Sequence, residues 1–439
     1  MEGERKTLTQ LSVPICLETL FYMLSGMVDT LMLSSVSDQA VGAVGTANTY
    51  IGVFIIMFGV ISSGMVAVMS QNIGAGKPGI AYQARQLGLV FNALTGILMS
   101  FILAAFSGWI LKIVSIAPAL LEPAEIYLKI VGGASFLNAL IPIFSSYLRV
   151  FGYTKHSLIG TVVGNVINII LNSVFLFVFN WGVMGVAAAT VFSKVVNLII
   201  VAAMGAVLIK AKQSPERAQP RKILAQIVKI GFPSAFETAL YNVAMTFIVC
   251  FMNHMDTDGM NVTARSYAMQ IANFSYCVGA ALAQANAIMT GWRIGAKKYE
   301  ECDRGTRKAV IYGLVTATCF SVTFAITGRF IVHIFTNDIQ MIELVVKLLV
   351  VDIFLEFGRV TNLVYGQALK TSGDAIFPVI MGAIFMYLFA VGGTYFLGIH
   401  MGLLAVGAYI AMAGDECARA VGMVLRWKSG KWKSKSLVE

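Results

Sequence analysis

Residues 14–19 read PICLET, and residues 233–238 read PSAFET. Proline, glutamate and threonine thus return in the same order after 219 residues. Two further segments repeat later in each half at a spacing of 221: IGAGK at 73–77 matches IGAKK at 294–298, and LRVFG at 148–152 matches LKTSG at 369–373. An alignment that keeps its register across half the chain indicates an internal duplication, so the chain is predicted to contain two copies of one structural unit.

The composition indicates that these copies lie in a membrane. Hydrophobic residues make up 58% of the 439 residues and charged residues only 12%, and the mean hydropathy is +0.79. A spanning helix needs roughly 20 mostly apolar residues. Twelve such runs lie near 10–34, 48–72, 86–113, 123–148, 157–180, 183–209, 227–254, 263–290, 309–335, 341–369, 375–398 and 402–426.

Six apolar runs fall in each half, which makes both halves enter the membrane in the same sense and places the pseudo-two-fold axis along the membrane normal. We therefore predict an all-α integral membrane protein with twelve transmembrane helices in two six-helix bundles. The predicted parts are an N-lobe at 1–209, a cytoplasmic linker at 210–226, a C-lobe at 227–426 and a basic cytoplasmic tail at 427–439. A duplicated bundle of this kind is typical of secondary transporters.

Basic residues set the predicted orientation. Twenty-three of the 32 lysines and arginines lie at helix ends on one side, including clusters at 210–222, 293–308 and 426–435. The opposite loops carry Asp38, Glu122, Asp256, Asp258 and Asp338. The positive-inside rule then places both termini in the cytoplasm, and we expect a multi-pass protein of the plasma (inner) membrane.

Several function classes have no support in the sequence. The basic residues are spread over short loops, which argues against nucleic-acid binding. No nucleophile and base converge, and the four histidines show no metal-ligand spacing, so we expect no catalytic residue, no bound metal and no cofactor. The segment around Gly76 and Lys77 lacks the first glycine of a phosphate-binding loop, because Gln71 stands there, and ATP-driven transport is disfavoured. We expect a monomer whose partners are lipid and small organic substrates.

One acid in the first apolar run is the strongest candidate for chemistry. Asp29 lies about two thirds of the way across that run, where a carboxylate costs a few kcal/mol unless it is protonated, binds a cation or meets polar partners. Asn165, Asn168 and Asn172 share one face of the fifth run, and Thr190 lies on the sixth. This set suits either a monovalent cation or a protonatable acid. The alternative is that the asparagines only join helices.

Glu18 and Glu237 are equivalent residues of the two copies. Each follows a proline, Pro14 or Pro233, by four residues. Each glutamate could bond to amides that the proline frees, which is a structural role, or take part in transport. Glu18 lies on nearly the same helix face as Asp29 at a depth ~16 Å away, which suits a helix that lines a cavity.

The second half carries a charged set of its own, and Ile248 stands at the place of Asp29. Acids and bases follow each other at steps of three and four residues, a spacing that allows neutralisation along a helix. The set comprises Asp352, Glu356, Arg359 and Asn362 on the tenth run and Asp415, Glu416 and Arg419 on the twelfth. A structural ion-pair network is the favoured interpretation, and Glu356 and Asp415 remain secondary candidates for proton binding.

These residues together resemble the multidrug and toxic compound extrusion (MATE) family. The resemblance rests on the run from Pro14 to Asp29, the segment 71–77, the face of Asn168 and Asn172, Thr190 and the repetition from Pro233. It implies two six-helix bundles around a V-shaped cleft, and export of organic, often cationic, compounds against inward flow of H+ or Na+.

The resemblance also assigns roles to individual residues. The family's N-lobe cation site falls on Asp29, Asn168, Asn172 and Thr190. Several members have aspartate at the position of Asn172, so one formal negative charge remains here. Other members use an acid on the seventh helix, matched by Glu237, and an aspartate on the tenth.

The position of that tenth-helix aspartate is occupied by Arg359, with Glu356 one turn away. A C-lobe ion site is therefore expected only if it is displaced.

The predicted function is antiport by alternating access, in which ion binding neutralises Asp29 and lets the first helix bend or repack. Aromatic and methionine residues are expected to form the cavity walls, namely Tyr22, Met23, Met27, Tyr50 and Tyr276. One alternative is a flippase for a lipid-linked precursor, which would favour more spans or a strongly cationic cavity. Another is a membrane enzyme, which would need a convergent nucleophile and base or a metal set, or a channel, which would not need a titratable acid in a duplicated alternating scaffold.

Overall fold

The computed structural model describes residues 6–113, 116–210, 214–255 and 259–438, apart from the side chain of Asp38, and these residues are almost entirely helical. Asp256 and Asp258, which contributed to the predicted orientation, lie outside the described residues, as do Arg5 and Lys212. Fourteen α-helices follow one another in this part of the chain: α1 Leu8–Ser34, α2 Asp38–Gly74, α3 Pro78–Ala105, α4 Ser107–Ile113, α5 Pro118–Tyr127, α6 Ser135–Val150, α7 Thr154–Ser173, α8 Gly182–Leu208, α9 Pro220–Asn253, α10 Met260–Gly295, α11 Tyr299–Val332, α12 Ile339–Thr371, α13 Ile376–Phe385 and α14 Leu404–Lys428. Wider π-helical turns continue some of them at Leu128–Gly132, Val174–Val178, Met386–Val391 and Thr394–His400, and a 3₁₀-helix covers Lys431–Lys435.

Many of these helices are long and apolar enough to cross a bilayer. Eight pass this test by length and composition, and a ninth span is reached if the segments Pro118–Gly132 and Ser135–Val150, bent by 41°, are taken together. Helices α10, α12 and α14 have 36, 33 and 25 residues and so are also long enough. The prediction of an all-α membrane protein is confirmed, and the number of twelve spans remains a prediction.

Side chains on the helix surfaces match a lipid environment. Large apolar residues are broadly exposed along the helices, with Ile326 and Phe330 each 78% exposed and Val207 74% exposed. Soluble monomers rarely expose contiguous apolar patches of more than a few hundred Å². The exposed apolar surface therefore indicates contact with lipid tails.

The chain divides into two compact units, Met1–Gly231 and Phe232–Glu439, called the first and second unit below. In the first unit, α7 packs against α1 and α8, and α3 packs against α2 and α6. In the second unit, α12 packs against α10, α11 and α14. Each unit has a buried apolar core of its own.

Backbone angles reproduce the sequence repeat. Ala75 and Ala296, which are 221 residues apart, both end a helix with φ −79° and ψ 2°. Gly152 and Gly373 both have positive φ, at 87° and 101°, a conformation that glycine adopts without a steric penalty. The same turns therefore follow equivalent helices in both units.

The C-terminal tail packs back onto the second unit. Trp432 stacks on Trp427 with ring centroids 4.2 Å apart, and its indole N–H donates to the Trp427 carbonyl oxygen at 2.9 Å. Asp374, in the turn between α12 and α13, accepts from Arg426 Nε at 2.7 Å and from Lys435 Nζ at 2.6 Å. Burial alone would raise the pKa of Asp374, but hydrogen bonds and charge from the two bases bring that pKa below its usual range.

Candidate coupling site and cavity

Asp29 meets the predicted asparagine face of α7. The Asn172 side-chain N–H donates to Asp29 Oδ1 at 2.6 Å and to Asn168 Oδ1 at 3.3 Å. The side-chain amide oxygen of Asn172, Oδ1, is buried and has no hydrogen-bond partner among the described residues. One carboxylate and two amides are thus brought together between α1 and α7, and this group is called the Asp29 cluster.

Thr190 lies beside this cluster but is not bonded to Asp29. Its hydroxyl donates to the Val186 carbonyl oxygen at 2.8 Å, and it lies within electrostatic range of the buried Tyr127 hydroxyl. Tyr127 lies within electrostatic range of Asp29. The predicted set of four is therefore assembled only in part by direct contact: among the described residues, the Thr190 hydroxyl bonds to Val186 and not to the other three.

The sequence-based prediction missed a lysine in this region. Lys194 lies on α8 one turn beyond Thr190, and its charge acts on Asp29 at a distance longer than an ion pair. Its spacing of four from Thr190 was the available signal, because residues four apart on a helix share a face. The Asp29 cluster thus faces a positive charge as well as neutral amides.

Asn165 has a structural contact. Its side-chain N–H donates to the Phe21 carbonyl oxygen at 2.9 Å and so joins α7 to α1. This contact agrees with the interpretation that some asparagines only hold helices together.

Glu18 is sealed in an ion pair within the first unit. Its side chain is 2% exposed, and Arg149 Nη2 lies 2.8 Å from Glu18 Oε1. The Ser157 hydroxyl donates to both carboxylate oxygens at 3.1 Å, and the Thr161 hydroxyl donates at 3.3 Å. The carboxylate therefore bonds to side chains rather than to amides freed by Pro14.

Glu237 makes the equivalent pair in the second unit. Lys370 Nζ lies 2.6 Å from Glu237 Oε2, and the glutamate side chain is 22% exposed. Ser157 and Thr161 correspond, at the 221-residue spacing, to Pro378 and Gly382, which carry no hydroxyl. The repeat thus keeps the acid and the base, while the second copy loses the hydroxyl groups that close the first.

The predicted charged set of the second half, apart from Asp352, forms one network. Arg419 binds Asp415 through two hydrogen bonds, at 2.9 and 2.6 Å, and lies 3.0 Å from Glu416. Arg359 pairs with Glu356 and lies 3.7 Å from Glu416, which also accepts from Asn362 at 2.9 Å. A close approach of α12 to α14 permits this: a Cβ at Gly358 would lie 2.6 Å from the Cys417 nitrogen.

Asp352 stays outside these pairs. It is 3% exposed, and within the part of the chain that the structure describes it makes no hydrogen bond or ion pair. Its electrostatic neighbours are Glu356 and Arg359. Of the acids predicted on the tenth run, Asp352 is therefore the one without a bonded partner.

A cavity of about 430 Å³ opens inside the second unit. It is called the second-unit cavity. Five helical segments line it, each with residues of one face that are mostly three or four positions apart in the sequence. The charged lining residues are Glu237, Arg265, Asp352, Arg359, Lys370, Glu416 and Arg419. Tyr276, predicted as a wall residue, lines this cavity, whereas Tyr22 and Met27 are exposed side chains of α1.

The volume and lining of the cavity suit a small organic ligand, because ligand pockets range over roughly 300–1,000 Å³. Methionines contribute much of the apolar wall, at 245, 269, 386, 412 and 423. Methionine side chains adapt to ligands of different shape. Groups of three or more histidine, cysteine, aspartate or glutamate residues with metal-binding geometry are absent from the described ranges.

Comparison with known proteins decides the family. The MatE family model matches residues 14–174 and 233–396. The chain belongs to the MATE family. The two matched segments begin at Pro14 and Pro233, the residues with which the sequence repeat begins, so the predicted duplication and resemblance are both confirmed. MATE proteins are transporters and not enzymes, and this one is a multi-pass membrane protein.

Individual relatives cover nearly the whole chain. An uncharacterized transporter, YisQ, of Bacillus subtilis is 32% identical over 98% of this chain and 96% of its own length. A probable multidrug resistance protein, NorM, of Thermotoga maritima is 25% identical over 99% of this chain and 94% of its own. The outward-facing structure of a multidrug resistance MATE family transporter of the MOP superfamily has a TM-score of 0.88 at 18% identity, with 97% and 96% of the two chains covered.

Proposed function

We propose that this MATE protein is a secondary active antiporter that exports organic compounds, many of them cationic, in exchange for an inward-moving ion. The NorM relative and the solved transporter are both described as multidrug resistance proteins, which supports the substrate class. The observation that carries the proposal is Asp29, an acid inside an apolar helix whose bonded partner is a neutral amide. An acid in that position is functional by default because its charge is costly in the membrane.

The coupling step is a change in the charge of Asp29. When Asp29 is charged, the cluster requires polar surroundings; when an ion neutralises it, the desolvation penalty disappears and α1 can repack. This two-state behaviour of α1 is the proposed basis of alternating access. Asn172 donates to the carboxylate and holds it in place, and Asn168 in turn accepts from Asn172. Thr190 contributes a hydroxyl group on the neighbouring helix α8.

The proton is the coupling ion that we favour over Na+. Na+ needs several oxygen ligands and would have to enter a region that already contains the charge of Lys194. A proton needs only one carboxylate oxygen, so a single acid is enough to bind it, although the charge of Lys194 opposes a proton as well as Na+. The Asn172 side chain, in place of a second acid, also lowers the attraction for Na+.

The proposed exchange can be tested in liposomes with one imposed gradient at a time. The purified protein should accumulate a fluorescent organic cation when a proton gradient alone is imposed, and a sodium gradient alone should have little effect. Transport with neither gradient would contradict antiport. A response to sodium alone would replace the proton by Na+ without removing the exchange mechanism.

Lys194 provides a second test of the ion. Lys194→Met removes a positive charge that opposes both ions. If this charge is what keeps Na+ out, a sodium gradient should begin to drive transport, and the proton gradient should still drive it. The matched control is Lys129→Met, since Lys129 forms an exposed pair with Glu125 at 2.7 Å. Unchanged ion dependence in the Lys194 variant would show that this charge does not select the ion.

A further inference from the structure

We propose that the second-unit cavity binds the carboxylate group of an organic acid or zwitterion at Arg265. The proposal rests on the exporter function above for its physiological meaning, but not for its test. It extends the substrates beyond organic cations.

The basic groups of the cavity differ in their partners. Lys370 is paired with Glu237, Arg359 with Glu356, and Arg419 with Asp415 and Glu416. Arg265 also lines the cavity, yet it forms no ion pair with any residue that the structure describes. It is therefore the one lining base that lacks a bonded acid in this part of the chain.

Arg265 is buried, which makes its lack of a partner significant. The residue is 7% exposed, its Nε has no hydrogen-bond partner among the described residues, and one terminal nitrogen lies 3.7 Å from the Met245 sulfur. A thioether is a weak acceptor and does not balance the charge. Buried arginines are normally paired because desolvation of an isolated charge is costly.

Asp352 does not supply the missing charge. Its electrostatic neighbours are Glu356 and Arg359, so its compensation comes from the Arg359 side of the cavity. Tyr409 lies within electrostatic range of both Asp352 and Arg265. The Arg265 end of the cavity thus offers a planar cation, a tyrosine and open volume.

These features select a carboxylate with an apolar body. A guanidinium binds a carboxylate through two parallel hydrogen bonds. Met269 lies one helical turn from Arg265, and Met245 and Met412 line the same cavity, which gives an adaptable apolar surface for a ring system. Arg265 would hold the acid group while the methionines contact the rest of the molecule.

The test compares two compounds with the same ring system, one carrying a charged carboxylate and the other an uncharged amide. Binding of 2-naphthoate and of 2-naphthamide to the full-length protein in detergent is measured by isothermal titration calorimetry. The naphthoate should bind roughly tenfold to a hundredfold more tightly, as expected for a charge-assisted pair. In Arg265→Gln this preference should fall to about twofold or less, and Arg265→Lys should retain an intermediate preference.

Equal binding of the two probes to the wild-type protein would overturn the proposal, and that result does not depend on the folding of any variant. A full preference in Arg265→Gln would also overturn it. Arg85→Gln is the matched control, because Arg85 belongs to the first unit and lies over the rings of Tyr82, Phe144 and Tyr147; its preference should equal that of the wild type. Size-exclusion profiles verify that each variant is folded.

A second variant separates this proposal from the transport mechanism. Asp29→Asn should lose gradient-driven exchange and keep the naphthoate preference, because Asp29 is not part of the second-unit cavity. If the wild-type protein shows gradient-driven exchange but binds the two probes equally, the anion site alone is wrong. If Asp29→Asn keeps both gradient-driven exchange and the naphthoate preference, the proposed coupling role of Asp29 alone is wrong.

Discussion

The two units contain the same acid–base pair in different surroundings. Glu18 and Arg149 are closed in by two hydroxyl groups, whereas Glu237 and Lys370 face a cavity. The pair recurs where the backbone turns also recur, which indicates that it belongs to the scaffold of the repeat. The difference lies in what surrounds it, and this determines which copy is sealed and which is open to a ligand.

The middle of each unit differs even more. In the first unit Asp29 bonds to a neutral amide and forms no ion pair with any described residue, while in the second unit several acids are balanced by Arg359 and Arg419. A lone acid changes its environment when an ion binds, whereas a balanced network resists such a change. The comparison therefore supports the proposals that place coupling in the first unit and ligand binding in the second.

The largest expected effect tests that assignment. Asp29→Asn removes the titratable group and keeps the shape of the side chain, so gradient-driven transport in liposomes should fall by roughly two orders of magnitude or more, the scale of loss when an essential proton-transfer group is removed. Asp352→Asn is the matched change in the second unit, and it should retain gradient dependence. If the two variants lose coupling equally, the division of roles between the units is wrong.

The next effect concerns the repeated ion pair. Arg149→Met leaves Glu18 buried and uncompensated, which should destabilise the protein by about 3–5 kcal/mol, the cost of breaking a buried pair. Lys370→Met should cost about half of this or less, because Glu237 is partly exposed to the cavity. Thermal unfolding in detergent measures both changes.

A double change controls for the loss of packing. Glu18→Gln combined with Arg149→Met removes both charges, so most of the stability lost in Arg149→Met should return. Equal destabilisation by Arg149→Met and Lys370→Met would contradict the contrast between a sealed and an open pair.

The sequence predicted the helical class, the duplication and the meeting of Asp29 with Asn168 and Asn172, because hydropathy and helical spacing reflect local physics. It did not predict the Glu18–Arg149 pair, although both members reappear together as Glu237 and Lys370, and this shared recurrence was a usable signal. The second-unit cavity was also missed. A cavity depends on the spaces between five packed segments, and no single helix pattern records them.

A smaller effect tests the network of the second unit. Glu356→Gln leaves Arg359 with Glu416 at 3.7 Å as its remaining pair, so the protein should lose about 1–3 kcal/mol of stability. The ion dependence of transport should not change, because Asp29 is the proposed coupling residue. A changed ion dependence with unaltered stability would instead make Glu356 a coupling residue.

The smallest effect is expected at the C-terminal tail, which packs on the second unit. Asp374→Asn removes the charge that binds Arg426 and Lys435, and the tail should loosen at a cost of about 1–3 kcal/mol. Faster tryptic cleavage next to Lys435 at neutral pH would report this change, with Asp338→Asn in another turn as the control.

Acid should produce the same loosening in the unmodified protein. Since the pKa of folded Asp374 is below that of an unfolded aspartate, about 3.9, its stabilisation is complete above that value and is lost as the pH falls through the lower folded pKa. The fluorescence of the stacked Trp427 and Trp432 should follow this transition in the wild type and not in Asp374→Asn. A fluorescence transition near neutral pH would contradict a tail held by this carboxylate.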